Sequence, residues 1–320
     1  MTHSSEHQRI TLLRSLFDPG HLGRDIAVGI GDDAAVLASQ AGSLVWSIDA
    51  AVEGTHFRRD LMSLEDAGYR ATMAALSDLA AMGSEPLGVL AALVLPRDLA
   101  DESLLELARG QRDAAATSGT FVVGGNLARG DCISITTTVL GRAERPLTRG
   151  DAADGHAVWV SGELGWSAAG LRALERSSAP SPDVDRAITC FRRPTARIEA
   201  GRVAAAAGAS AAIDVSDGLA ADLTHLARES QVTVVLEEDA LFDAPLTRLA
   251  ESLGAAALDL VLSGGEDYAL VVTAPASVVL PGFRRIGVCA AGPAAVMLRD
   301  GSGRARAVGG RGYDHFAEQP

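Results

Sequence analysis

Gly29-Ile-Gly-Asp-Asp-Ala-Ala-Val-Leu37, with Trp46-Ser-Ile-Asp-Ala-Ala-Val-Glu-Gly-Thr-His-Phe57 close behind it, is the stretch on which the reading of this chain turns. Gly29-x-Gly31-x-x-Ala34 has the outward form of a dinucleotide fingerprint, which would call for a doubly wound parallel sheet. Asp32 and Asp33 stand where a pyrophosphate would approach the helix N-terminus, so like charge excludes that fold. What remains is a series of strand-like runs at 26–30, 34–37 and 43–48, each delivering an acidic turn.

Asp32, Asp33 and Asp49 border Ala, Val, Leu and Ile, with no basic neighbour until Arg58. Desolvating an ionised carboxylate costs roughly several kcal/mol unless a counter-charge is supplied. Small hard cations, Mg²⁺ above all, meet that need where carboxylates gather near substrate phosphates.

The rest of the composition narrows the classes. The 320 residues suit one large or two ordinary domains. Aromatic residues make up only 4% and Ala is abundant, so the helices are expected to pack closely through small side chains. A net charge of −13 argues against sequence-independent nucleic-acid binding, which needs a basic surface. All 28 basic residues are arginine, which removes the lysine of a Walker A loop, of a protein kinase strand or of a Schiff base. Cys132, Cys190 and Cys289 lie far apart and fit neither a zinc site nor a disulfide framework. No apolar run approaches the ~18 residues of a membrane span, so a soluble, cytoplasmic protein is expected.

Taken in order, 10–17 reads as a short helix, and Ser63-Leu-Glu-Asp66 opens a helix that reaches Met82 before Gly83 ends it. Asp78 lies inside that helix with apolar flanks on both sides. A strand at 87–95 and a helix from Asp101 follow, and Gly124-Gly-Asn-Leu-Ala-Arg-Gly130 reads as a glycine-rich turn whose N–H groups face a phosphate. The polar segment 142–156 marks a boundary, giving domains 1–145 and 146–320. In the second, a helix is expected to run to about Ala207 through Arg192-Arg193-Pro194. Ile213-Asp-Val-Ser-Asp-Gly218 is a second acidic turn between strand and helix, where Asp217 can equally be a helix cap. Leu260 to Val272 reads as two apolar strands with Glu266 and Asp267 at the turn between them. Alternating strands and helices in both halves imply two α+β or α/β lobes with apolar sheets covered by Ala-rich helices.

Seven motifs occur in order over essentially the whole chain: Gly-Ile-Gly-Asp-Asp at 29–33, Ser-x-Asp at 47–49, Glu-Gly-x-His-Phe at 53–57, Leu-Ser-Asp-Leu-Ala-Ala-Met-Gly at 76–83, Ile-Asp-x-Ser-Asp-Gly-Leu at 213–219, Ser-Gly-Gly-Glu-Asp-Tyr at 263–268 and Gly-Tyr-Asp-His-Phe at 312–316. Together they resemble the thiamine-monophosphate kinases. The resemblance implies the mixed α+β, two-domain fold shared with aminoimidazole ribonucleotide synthetase. It also implies a homodimer joined through the N-terminal sheets, a C-terminal α/β domain supplying metal and substrate residues, and ATP-dependent conversion of thiamine monophosphate to thiamine diphosphate. Position by position it assigns Asp33, Ser47, Asp49, Asp78, Asp214 and Asp217 as magnesium ligands for several ions, with Asp32 adjoining and Ile48 contributing its carbonyl. It assigns Gly125, Arg149 and Ser216 to ATP, and His56, Glu266 and Tyr313 to thiamine monophosphate.

The chemistry fits an acidic rather than a basic site. The acceptor is a phosphate oxygen already largely ionised, since a phosphomonoester has a second pKa of about 6. No general base is needed. The barrier lies in bringing negative charges together in line, which metal ions lower.

Departures from the family pattern matter as well. Ser47-Ile48-Asp49-Ala50 stands where Ser-Thr-Asp-Thr is usual, and Gly125-Asn126-Leu127-Ala128 where Gly-Asp-Thr-Thr is usual. Asn126 keeps an amide oxygen for the nucleotide site, but one formal negative charge is lost, so weaker Mg²⁺ binding is expected. A divergent, non-catalytic dimer that still binds nucleotide and metal is one alternative; a related ATP-dependent enzyme with another substrate is the other.

Overall fold

The computed structural model describes residues 26–28, 35–39 and 42–309. The expected helix at 10–17, Asp32, Asp33 and Tyr313 lie outside these residues.

The first half is built on a six-stranded sheet in the order β1-β2-β3-β6-β4-β5. Its strands are β1 (Ile26–Val28), β2 (Ala35–Ser39), β3 (Gly42–Val52), β4 (Glu85–Leu95), β5 (Val122–Arg129) and β6 (Ser134–Ala143). Neighbours are antiparallel except β4 and β5, which run parallel. Alternation along β3 and β6 turns Val45, Ile135 and Val139 inward, while Trp46 and Ile48 face outward.

Two helices cover the inner face, α1 (Leu64–Ala81) and α2 (Asp101–Thr117). The Ser63 hydroxyl accepts the Asp66 N–H at 3.1 Å, the N-cap that the sequence announced. All but three residues of α1 are buried, because it is sandwiched on several sides. Small residues make that possible: a Cβ at Gly110 of α2 would lie 1.9 Å from the Glu65 carbonyl oxygen, and one at Gly68 2.1 Å from that of Leu107.

The second half carries a seven-stranded sheet in the order β13-β12-β9-β11-β7-β10-β8. These strands are β7 (Ala157–Ser161), β8 (Ala211–Asp214), β9 (Thr233–Glu237), β10 (Leu270–Ala274), β11 (Arg284–Ala290), β12 (Ala295–Arg299) and β13 (Ala305–Ala307). Among the described strands only β9 and β12 pair in parallel, so strand–helix alternation here gives a mixed, mostly antiparallel sheet and the molecule is α+β. In β7, β8, β9 and β10 both faces are largely buried, which is why those strands read as unbroken apolar runs, whereas β13 is exposed. Val158, Ile213 and Val271 face a core with α6 (Leu219–Ser230), whereas Trp159, Ala212 and Val272 face Ala81 at the end of α1 and α5 (Ile198–Ala207). The two halves therefore share apolar clusters.

Three local expectations change. Leu260 to Ser263 belongs to a helix, α8 (Ala257–Ser263), after α7 (Ala244–Ser252), rather than to a strand. The run of apolar residues was too short to separate the two by pattern. Gly124 to Arg129 is strand, not turn: β5 lies against β4, and a Cβ on Gly125 would sit 1.8 Å from the Ala91 carbonyl oxygen. The expected single helix to 207 follows α3 (Trp166–Glu175) as two pieces, α4 (Pro182–Arg192) and α5, interrupted around Pro194, which lacks an amide N–H. Among the described residues no helix is long and apolar enough to cross a membrane.

Candidate active site

The site forms where α1 meets the ends of β3, β8 and β10. Ser47 and Asp49 project from the inward face of β3, and the Ser47 hydroxyl donates to Asp78 Oδ2 at 2.5 Å, fixing the helix carboxylate to the sheet. Asp49 Oδ1 accepts the Ala50 N–H at 2.7 Å. One residue before Asp78, the buried Ser77 hydroxyl donates to Asp214 Oδ2 at 2.7 Å across the junction of the halves. Burial pushes the Asp214 carboxyl up, while the Ser77 hydrogen bond and the Arg149 charge pull it down and Asp49 adds to the rise. Asp49, Asp78, Asp214 and Arg149 thus come to one junction.

The second acidic turn is held by a residue the motif reading missed. Asp222, buried in the first turn of α6, accepts the N–H groups of Ser216 at 3.0 Å and Asp217 at 3.1 Å through one oxygen. Burial first, then the charges of Asp217 and Asp214, raise its carboxyl well above the usual range. The N-cap position of α6 is Gly218, which places Asp217 one residue ahead of the cap. An acid five residues beyond Asp217, inside the first helical turn, was the available signal.

Glu266 lies beside this turn. Its N–H donates to the Ser216 carbonyl at 2.7 Å, and that of Tyr268 to Val215 at 2.9 Å. Both residues have left-handed backbone, φ 65° and 47°, a conformation that costs a non-glycine residue about 1–3 kcal/mol and clusters at functional sites. Gly265 permits the close approach, since a Cβ there would lie 2.5 Å from the Ser216 carbonyl oxygen. Glu266 forms an ion pair with Arg70 of α1 and lines a cavity of about 570 Å³ with Ser167, Leu171, Arg172 and Phe191. Asp267 turns the other way and accepts the Gly165 and Ser167 N–H groups at 2.6 and 3.0 Å, holding the start of α3.

His56 Nδ1 accepts the Val52 N–H at 3.1 Å, which leaves Nε2 as the protonated, donating nitrogen of the neutral ring. Ile48 is 65% exposed on the outer face, opposite to Ser47 and Asp49, so any part it has in the site is through its backbone. Gly125 and Asn126 are not brought beside these acids. Gly125 stands in the row Asp49–Thr137–Ala91–Gly125, three strands from Asp49 or about 14 Å. Asn126 stands in the neighbouring row with Ala50 and Ala92.

Among the described residues no three His, Cys, Asp or Glu groups form a ready metal cage. The donors that do meet are all oxygens, with a buried carboxylate at Asp214 and a fully buried Thr137 hydroxyl, opposite Asp49, that has no hydrogen-bond partner among the described residues. That set fits Mg²⁺, which takes one or two carboxylates and completes its shell with water and substrate phosphate rather than with an all-protein cage.

A two-sheet chain with an acid-lined junction of this kind belongs to a known structural class. The model of the AIR synthase related protein, N-terminal domain, matches residues 31–143, and that of the AIR synthase related protein, C-terminal domain, residues 153–291. Within that class the chain belongs to the thiamine-monophosphate kinase family. It is 35% identical to the thiamine-monophosphate kinase of Mycobacterium tuberculosis over 298 residues, 92% of this chain and 87% of that one. It is 37% identical to that of Escherichia coli over 273 residues, 83% and 82% of the two chains. The solved structure of AaThiL complexed with AMPPCP and TMP superimposes with a TM-score of 0.89 at 31% identity, covering 99% of each chain.

Proposed function

We infer that the protein is a thiamine-phosphate kinase, transferring the terminal phosphoryl group of ATP to the phosphate of thiamine monophosphate. The observation that carries this reading is the meeting of Asp49, Asp78 and Asp214 at one junction in a chain of that family.

The assignments that follow belong to the same proposal. Asp78, Asp49, Asp214 and Asp217, with Ser47, the Ile48 carbonyl and the Asp32–Asp33 pair, hold Mg²⁺, whose bound ions offset the negative charge of the phosphates. Ser77 and Asp222 keep Asp214 and the 216–217 turn in place. Arg149 and Ser216 meet ATP. His56 offers its Nε2–H to the acceptor phosphate, while Glu266 accepts a hydrogen bond from the aminopyrimidine and Tyr313 lies against the cationic substrate. No residue has to take a proton from the acceptor oxygen, which arrives ionised.

Gly125, about 14 Å from Asp49 in the same sheet row, and Asn126 beside it meet the far end of the nucleotide, and the protein is a homodimer joined through this sheet. The outer face of the first sheet has the character of such an interface: Trp46, Ile48 and Leu90 are exposed on it, with Phe121 and Val123 beside them. Contiguous apolar surface of this kind marks an interaction site. Domains 1–145 and 146–320 and a cytoplasmic location complete the proposal.

Purified protein incubated with ATP, Mg²⁺ and thiamine monophosphate is expected to form thiamine diphosphate. If ATP binds but no product forms at any Mg²⁺ concentration, the kinase reading fails. The second reading, a nucleotide-binding dimer without turnover, then takes its place; Asn126 and Ala50, which remove a carboxylate and a hydroxyl from one sheet row, favour it.

A further inference from the structure

Arg70 is a charged residue in the otherwise apolar middle of α1 and is 4% exposed. It reaches out of the first half in two prongs. Nη1 donates to the Phe191 carbonyl at the end of α4, and Nη2 pairs with the Glu266 carboxylate. Its guanidinium also lies 4.5 Å from the centre of the Phe191 ring. Ser77, which holds Asp214, follows on the same helix seven residues later. Seven residues are nearly two full turns, so both side chains leave α1 on one face, about 10.5 Å apart along the axis.

We propose that Arg70 is a positioning residue, and that α1 acts as a two-point strut setting the distance between the metal-holding Asp214 and the substrate-holding Glu266. The Glu266 loop needs such a brace. Its backbone is left-handed at two non-glycine residues, and Glu266 itself is only partly buried at the cavity wall. A rigid helix that bonds to both points lets thiamine monophosphate meet a carboxylate already oriented, instead of ordering it on binding. Arg suits the task because its planar fork serves two acceptors at once; Lys has the charge without the fork. The inference rests on the kinase reading for the substrate and on the ion pair alone for the brace.

The test compares Arg70→Met, Arg70→Lys, Glu266→Gln and the Arg70→Met/Glu266→Gln pair in the full-length protein. Steady-state constants are measured for both substrates, and amide hydrogen exchange over 263–268. Arg70→Met is expected to raise KM for thiamine monophosphate about tenfold or more, to leave KM for ATP within about twofold, and to speed exchange in 263–268. Arg70→Lys is expected to fall between it and the parent and serves if Arg70→Met does not fold. In the Glu266→Gln background, Arg70→Met is expected to add less than about a twofold change. Equal increases in both KM values, multiplicative effects in the double variant, or unchanged exchange in 263–268 would each overturn the brace. A parent protein that fails to convert thiamine monophosphate sinks the kinase reading instead, and the exchange comparison still decides whether Arg70 holds the loop.

Discussion

Glu266 and Asp267 are neighbours in one acidic pair, yet the chain uses them in opposite directions. Glu266 faces the cavity and Arg70, while Asp267 is buried under the start of α3. Burial, opposed by its two backbone hydrogen bonds, pushes the Asp267 carboxyl up to about 7. The folded protein therefore holds this proton more tightly than the unfolded chain does. The associated stability is fully present below about pH 4 and is lost as pH rises toward 7. The size of the effect is on the order of 4 kcal/mol. Asp267→Asn keeps an acceptor oxygen for α3 but does not titrate. Its stability relative to the parent, from urea unfolding, should rise between pH 4 and pH 8, and a pH-independent difference would refute the assignment.

At the scale of elements, α1 organises the molecule. Glu65 and Asp66 pair with Arg193, Arg70 with Glu266, and Ser77 with Asp214, while Gly201 of α5 meets the C-terminal turn. A Cβ on Gly201 would lie 2.0 Å from the Ala80 carbonyl oxygen, so the two helices cross backbone to backbone. Gly201→Ala forces them apart and is expected to cost about 1–3 kcal/mol through overpacking. The same shift moves Asp78 and Ser77 relative to Asp214, so the Mg²⁺ requirement for turnover should rise along with the loss of stability. An unaltered urea midpoint would mean that the crossing yields freely. The abundance of Ala and scarcity of aromatic residues in the sequence pointed to close helix packing; which glycines touch which carbonyls did not follow from it, because a contact between residues far apart in sequence leaves no local pattern.

For the whole molecule, the exposed outer face of the first sheet is the surface on which the proposed homodimer is tested. Leu90 is 45% exposed in the row Ile48–Thr138–Leu90, away from the inward acids. Leu90→Asp is expected to turn a dimer into a monomer in sedimentation measurements. If the proposed homodimer completes the site, kinase activity should fall by well over tenfold with the circular dichroism unchanged. Parent protein that sediments as a monomer at working concentration would exclude the shared-site arrangement.

The sequence by itself determined the chemistry and the family. Acids in apolar surroundings, the absence of lysine and seven ordered motifs are local or compositional facts, and each survives without coordinates. It also announced α1, because a cap at Ser63, a stop at Gly83 and small apolar residues between them are local signals. Tertiary structure alone decided how the acids are held. Ser77 reaching Asp214, Asp222 gathering the 216–217 N–H groups and Arg70 meeting Glu266 all join residues whose partners are set by chain packing. It also separated Gly125 from Asp49 by strand order, since nonlocal pairing, not local propensity, fixes which strands are neighbours.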